Sequence, residues 1–456
     1  CEGTGCDADV VLDPENLVAE AVATASCEGS DRFLRLSLPI FEPVAASPAA
    51  CVEWGAWQQE VAAHEVGGGL HGMFGGPRAA RDSTGGLHVV FVWAGPEDEM
   101  ELRYLGRDPE DGAWLGEVVS PQYGVTSPVS PALALDAAGV PHVMHRGFLD
   151  PSQGLVVHSW RGPDGWDAET IAPIAAASSD AFEHQVSLAA EPDGTLRSLF
   201  GGDGLSEAYC PDSRLKEACL ACPDVFCVFQ GTRRPGEDWE FVASDLSFLG
   251  QNPSDPSVLE LVPGSLNGSS LAGFATSYSA EIWSPGIGEF KPVLAGAFLP
   301  IGYPAGLSAG AVAAIPGAGA AVLVVRSAPF VLVRSAEGAA AVVGVPHGEA
   351  GLGFGGGEGQ NLAFDALGRP HIAQVGDGLV GHLRLHGGGD TDGWIVDTLP
   401  AEPGTRWSAG HAPAILMDPT GRLHWIAGRT VAGEEGKPET DAGEIVHLWR
   451  DCVKTL

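Results

Sequence analysis

Apolar positions along this chain fall in short runs, about five to seven residues long, that alternate with polar ones and stop at turns of Gly, Pro and Asp. That is the period of strands. The runs also repeat as a phrase. Around Asp136 the chain reads ALALDAAGVPHVMHRGF and then GLVVHSWRGPDGWDAETIA; around Asp365, NLAFDALGRPHIAQV and then LVGHLRLHGGGDTDGWIVDTL. Around Asp418 it reads PAILMDPTGRLHWIAG and then EIVHLWRD; around Asp82, AARDSTGGLHVVFVW and then ELRYLGRDPEDGAWLGEVV. Each phrase holds an apolar run, an Asp-x-x-Gly turn, a strand opening on Leu/Pro-His and a third apolar run. In the complete copies a turn, a Trp and, three residues later, an acid follow. Asp82 and Asp136 are 54 residues apart, Asp365 and Asp418 are 53. Repeats of roughly 40–55 residues with four short strands each predict an all-β fold, a β-propeller of four-stranded antiparallel blades.

The period places blade one at about 72–120 and blade two at 127–173. Blade three starts near His184, has Glu191-Pro192-Asp193-Gly194 in place of the Asp-x-x-Gly turn, and takes a cysteine-bearing insertion at 203–227 before resuming. Blade four is a weak copy with a Pro263-Gly264 turn, and blade five is compact and almost uncharged. Blade six spans about 361–400. Blade seven begins at Ala412 and holds only three strands before Leu456. Its fourth strand is expected from the other end of the chain. Outermost strands read Trp114…Glu117, Trp166…Glu169 and Trp394…Asp397, and Trp57-Gln58-Gln59-Glu60 has the same spacing. The expectation is therefore seven blades over 51–456, the last completed by an N-terminal strand that removes an open edge. The stretch 1–50 reads as a tether and irregular segment.

Composition agrees: 64 glycines and 34 prolines in 456 residues favour turns over long helices. The stretch 305–325 is uncharged over the length of a membrane span, but Pro316-Gly317 at its centre and its place in the blade period predict two buried strands. With 24 basic against 59 acidic residues the net charge is −35, which disfavours nucleic acid and anionic lipid as partners. Acidic turns at Glu97-Asp98-Glu99, Asp108…Asp111 and Asp390…Asp392 offer the oxygen ligands of Ca²⁺, without the spacing of an EF-hand.

The chain has nine cysteines. CEGTGC followed by an acidic, small-residue stretch looks like the start of a mature bacterial lipoprotein, with Cys1 as the lipidated residue. The other eight suit disulfides in an oxidising compartment: Cys6 with Cys27 and Cys51 with Cys452 by proximity, and two bonds of open connectivity among Cys210, Cys219, Cys222 and Cys227. A Zn²⁺ site at Cys219-x-x-Cys222 is the rival reading.

Over about 51–452 the repeat resembles the bacterial secreted propellers related to sialidase-type BNR repeats. The residues that carry it are the turns Asp136–His142, Asp365–His371 and Asp418–His424, and Asp164–Trp166 and Asp392–Trp394. The Ser-x-Asp-x-Gly spacing of an Asp-box is not kept, and the arginine triad with its Tyr/Glu pair has no match, so the resemblance implies fold without sialidase chemistry. His88, His142, His371 and His424 open the second strand in register, and His158, His382 and His447 recur in the third; both sets read as blade contacts. His71, Tyr123, His184 and His411 lie at or before innermost strands and are the low-ranked candidates for a funnel site.

No zincin motif or P-loop is present. The sequence is read as an extracytoplasmic, lipid-anchored propeller without a transmembrane span. It would serve as a binding or scaffold module for another protein or a neutral glycan. The alternative is a polysaccharide lyase or glycoside hydrolase using the central funnel.

Overall fold

The computed structural model describes 8–13, 18–27, 30–39, 51–66, 69–70, 76–95, 100–125, 131–150, 153–174, 186–202, 227–245, 256–266, 269–276, 279–286, 289–292, 297–298, 308–315, 319–325, 330–335, 340–345, 352–353, 360–365, 368–376, 378–385, 393–408, 413–433 and 442–455. Among these residues the chain is all-β, with no helix; none of its elements is a helix long and apolar enough to cross a membrane.

Ala8–Asp13, Val18–Cys27 and Ser30–Pro39 form an antiparallel meander. These strands fall within the stretch 1–50. Apolar Val22, Leu34, Leu36 and Leu38 recur at strand spacing, and the ladder from Val18↔Pro39 to Cys27↔Ser30 runs without a register shift.

From residue 58 on, the strands form antiparallel sheets built on one plan, in which consecutive strands are neighbours. In the first sheet Arg78–Arg81 pairs with Leu87–Ala94, followed by Met100–Arg107 and Trp114–Val118. In the second, Ala132–Leu135 pairs with Pro141–Asp150, followed by Gln153–Gly162 and Gly165–Ile174. The third holds Val186–Ala190, Leu196–Gly202, Cys227–Arg233 and Glu240–Asp245. Next come a sheet that starts with Pro256–Leu266 and one that starts with Ser308–Ile315. The penultimate sheet runs Leu362–Phe364, Pro370–Gly376, Leu379–Leu385, Trp394–Pro400. The last runs Ala414–Met417, Leu423–Val431, Ala442–Arg450, and its outermost strand is Gln58–Val66.

First strands contact each other in sequence from sheet to sheet, and Ala414–Met417 contacts Arg78–Arg81, which makes the succession cyclic. This is the arrangement of a β-propeller. The apolar faces between sheets form the core. Val90, Val92 and Leu102 pack against Val125 and Val143, while Met144 and Val156 pack against Leu188, Phe200 and Phe229. Ala79, Val89 and Phe91 meet Ala414, Ile426 and Ile445 of the last sheet.

The Asp-x-x-Gly turns explain their own sequence. Asp136 Oδ1 accepts the backbone N–H of Ala138 at 2.9 Å and of Val140 at 2.8 Å, and Gly139 has φ +81°, a conformation that favours glycine. Asp82, Asp365 and Asp418 each take the backbone N–H four residues on in the same way. The third sheet keeps the backbone turn without the leading Asp: Glu191 accepts at its carbonyl from Gly194, and Asp193 takes over the side-chain bond to the N–H of Thr195. One expected turn is displaced. Pro263-Gly264 falls inside Pro256–Leu266, at a register shift between Val262 and Leu266, because a bulge tolerates both residues.

Cys51 and Cys452 are disulfide-bonded, with Cα atoms 5.5 Å apart across 401 residues. Cys51–Trp54 pairs with Cys452–Thr455 beside the bond. Cys1, Cys6, Cys210, Cys219 and Cys222 lie outside the described residues; Cys27 and Cys227 each end or begin a strand. Replacing both Cys51 and Cys452 by Ser is expected to lower unfolding stability by at most about 6 kcal/mol on the loop-entropy relation. Non-reducing peptide mapping of the wild type should recover the two peptides linked, and a free thiol at either position would contradict the bond.

Candidate functional site

Two places gather chemistry-bearing side chains: a polar relay repeated in the sheets, and the cavity lined by the first strands.

The relay starts at the turn aspartate. In the last sheet Asp418 Oδ2 lies 3.6 Å from His424 Nε2, His424 Nδ1 lies 3.0 Å from His447 Nε2, and His447 Nδ1 donates to Glu60 Oε1 at 2.9 Å. The second sheet repeats it as Asp136, His142, His158, Glu169, and the penultimate as Asp365, His371, His382, Asp397. The second- and third-strand imidazoles stack nearly parallel, 5.1–5.3 Å between centroids. Both rings are buried in all three sheets. The histidines that fall in register are thus partners of one another.

Counting protons shows what such a relay can do. Two neutral imidazoles carry two N–H protons, but the row from aspartate to outer acid has three gaps, so one gap has no proton. In the last sheet His447 donates to Glu60 and His424 to His447. The bare gap is then Asp418–His424, whose 3.6 Å is the longest of the three. The first sheet tests this logic, because Tyr104 replaces the second imidazole. The Tyr104 hydroxyl donates to His88 Nδ1 at 2.7 Å, His88 Nε2 then carries its proton, and the gap to Asp82 Oδ2 closes to 3.2 Å. Burial raises the Tyr104 hydroxyl to about 12, so it remains a donor.

The outer acid also reaches the next sheet. Glu117 accepts from Arg161 at 2.6 and 3.0 Å and from the Trp166 indole at 2.8 Å. Glu169 accepts from Trp239 and pairs with Arg233, both at 3.2 Å. Glu60 accepts from Arg107 at 2.7 Å and from Trp114 at 3.0 Å, and Asp397 accepts from Arg450 at 2.8 Å. Gln58–Val66 therefore makes the joint that the fourth strands of the other sheets make. Burial works to raise the Glu60 carboxyl, but bonds from His447, Arg107 and Trp114 outweigh it and hold it at about 2. The arginines were missed in the sequence. Their signal was legible as Tyr104/Arg107, His158/Arg161, Gln230/Arg233 and His447/Arg450, always three residues apart.

The cavity is of the other kind. First strands line an open-sided cavity of about 410 Å³, with Ala79, Ala80, Ala134, Leu188, Phe364 and Leu416 among its apolar residues and Arg78, Arg81, Ser187 and Gln360 as the polar lining. Gln360 Oε1 accepts the backbone N–H of Ala79, tying the penultimate sheet to the first. Arg81 lies 3.8 Å from Asp418. Of the funnel candidates, His71, His184 and His411 lie outside the described residues. Tyr123 is described away from the cavity lining, its hydroxyl 3.2 Å from Thr170 Oγ1 of an outer strand. His145 is fully buried, with neither ring nitrogen bonded, and burial pushes it down to about 3.

Among the described residues no group of three His, Cys, Asp or Glu could hold a metal ion. Asp108 and Asp111 use carboxylate oxygens on their own turn, at the backbone N–H of Glu110 and Ala113. Glu97-Asp98-Glu99 and Asp390…Asp392 lie outside the described residues.

No family model matches the chain, and no curated protein matches it. Among solved structures it is similar to puromycin hydrolase, at 15% identity and a TM-score of 0.40, covering 95% of this chain and 60% of that one. It is similar to the BP39L lectin of Burkholderia pseudomallei at 14% identity and a TM-score of 0.48, covering 85% and 100%. A Trypanosoma rangeli sialidase matches at 10% identity and a TM-score of 0.37, covering 83% and 55%. The chain thus spans 60% of the puromycin hydrolase. The propeller assignment stands on the chain's own sheets.

Two outcomes follow from the relay. Glu60→Ala removes the charged acceptor of an imidazole, a guanidinium and an indole, and should cost about 2–3 kcal/mol in urea unfolding. The second concerns pH. Burial lowers His447 from 6.5 to about 4 despite its bond to Glu60. Between those values the unfolded chain takes up a proton that the folded chain refuses. Stability should therefore fall as pH drops from about 6.5 to about 4, by about 3 kcal/mol for this group. Glu60, lowered from 4.5 to about 2, extends the loss below pH 4.5. Urea midpoints taken from pH 7 to 4 check the slope, and His447→Gln should reduce it by this group's share, the other buried histidines keeping the rest.

Proposed function

We propose that the chain is a seven-bladed propeller, closed by Gln58–Val66 and the Cys51–Cys452 bond, that acts outside the cytoplasm as a binding module for another protein or a neutral glycan. The blade count is supported by the cycle of first-strand contacts, and the closure by the Glu60 joint. A disulfide spanning 401 residues suits an oxidising compartment.

One observation carries the functional reading. The histidines that recur in register, with the turn aspartates and outer acids they meet, are engaged in relays that hold the blades together. The described lining of the central cavity offers guanidinium, amide, hydroxyl and apolar groups, which hold a ligand and do not exchange protons with it near neutral pH. The large negative charge favours a neutral glycan or a protein over a polyanion, which would be repelled within about 8 Å of the surface at physiological salt. We assign the partner surface to the blade-three insertion at 203–227.

The test is a panel of neutral and anionic polysaccharides, assayed both for binding and for new unsaturated ends or reducing sugar. Binding without turnover, lost on deletion of 203–227 and kept by the triple variant His71→Ala, His184→Ala, His411→Ala, is the expected result. Turnover abolished by the triple variant would replace the binding module by an enzyme.

A further inference from the structure

We propose that the cavity lined by the first strands is a separate binding site for a small amphipathic carboxylate, with its apolar body on the alanine and leucine lining and its carboxylate at Arg81. This does not rest on what the outer loops bind.

Three features of the cavity lead there. Its volume, about 410 Å³, lies in the range of small-molecule sites, roughly 300–1,000 Å³. Its wall combines apolar side chains, Leu133, Leu188, Leu416 and Phe364 among small alanines, with polar surface in equal measure. An apolar chain of eight to ten carbons would exchange water for that wall, at about 25 cal/mol per Å² of apolar surface removed from solvent.

The third feature is charge. In a chain of net charge −35 the described lining carries two guanidiniums, Arg78 and Arg81, both from one strand, and no carboxylate. Arg81 is about a quarter exposed. Its acid neighbour, Asp418 Oδ2, is 3.8 Å away, beyond hydrogen-bond reach. The other oxygen, Asp418 Oδ1, already accepts from the backbone N–H of Thr420 and Arg422 and from the Thr420 hydroxyl. Asp418 therefore places the guanidinium next to the cavity without filling its planar donor fork, which matches a carboxylate in two bonds. A single small anion is the suitable guest. It meets the local arginine charge inside the cavity, while the repulsion of the distant acidic surface is screened.

Calorimetric titration of the full chain with decanoate and decanol tests this. Wild type should bind decanoate at one site, at least tenfold more tightly than decanol. Arg81→Gln should remove that preference by weakening decanoate about tenfold while decanol is unchanged. Ala80→Phe, which fills the cavity, should abolish both. Circular dichroism melting would show whether each variant is folded, and the decanoate-to-decanol ratio of wild type decides even if Ala80→Phe does not fold. Absence of decanoate binding to folded wild type, or equal binding of the two ligands, overturns the proposal. So does decanoate binding that survives Arg81→Gln unchanged. Absence of glycan or protein binding to wild type, with decanoate binding intact, would count against the outer-loop reading alone.

Discussion

The structure depends on a carboxylate with too many partners to be replaced by any other group. Glu60, Glu117 and Glu169 each accept from a tryptophan indole and a guanidinium of the following sheet, and Glu60 and Glu169 also hold an imidazole of their own sheet. Only an ionised carboxylate has acceptor sites enough for three donors. Charge-assisted bonds in partly buried surroundings are also about twice as strong as neutral ones. Apolar packing between sheets is non-directional and would tolerate sliding. The acid fixes which residue of one sheet stands opposite which residue of the next. From it follow the spacing of Trp to acid, the spacing of imidazole or tyrosine to arginine, and the position of the turn aspartate at the far end of the same row.

The same constraint bears on function. A protein of net charge −35 has carboxylates to spare, yet those that are buried here are committed to the frame. The relay histidines are committed as well, and burial holds His158, His371, His382 and His424 below their ordinary value, so they are neutral near pH 7. Among the described residues the polar groups lining the cavity are two guanidiniums, an amide and a hydroxyl. A frame built in this way commits its register histidines and their acids to holding the sheets together.

The fold was legible because the repeat is written in residues whose roles are local. Asp-x-x-Gly specifies a turn whatever surrounds it, and the Trp-x-x-acid spacing of Trp57 and Glu60 recurs at Gln58–Val66, which pairs with Ala442–Arg450. The register of the histidines was legible too, but their partners were not: a contact between His424 and His447 spans 23 residues, and only the pairing of two strands brings the rings together. The arginines escaped notice because a single Arg after a strand reads as a solvated end. The meander at 8–39 escaped because alanine is depleted in strands and hides the alternation. The cavity was not legible at all. Arg78 and Arg81 are unremarkable in Arg78-Ala79-Ala80-Arg81, and become a feature only when first strands from several sheets face one another.

The seam between the chain ends shows how the frame is secured where the chain's own continuity does not help. Elsewhere a fourth strand is joined to the third by a turn, but Gln58–Val66 reaches Ala442–Arg450 from nearly 400 residues away, so its ladder alone would have to offset the cost of closing that loop. Several interactions share the task. Glu60 anchors the strand to His447 on one side and to Arg107 and Trp114 of the first sheet on the other. Arg450 lies 5.0 Å from the Trp57 ring and donates to the Gly55 carbonyl and to Asp397. Trp54 stands edge-on to His371 and His382, and Arg369 donates to the Cys51 carbonyl at 2.8 Å. The disulfide comes last in this order of reasoning. It does not create the closed arrangement, since the ladder and joints already specify one register; it removes open conformations from the competing unfolded ensemble.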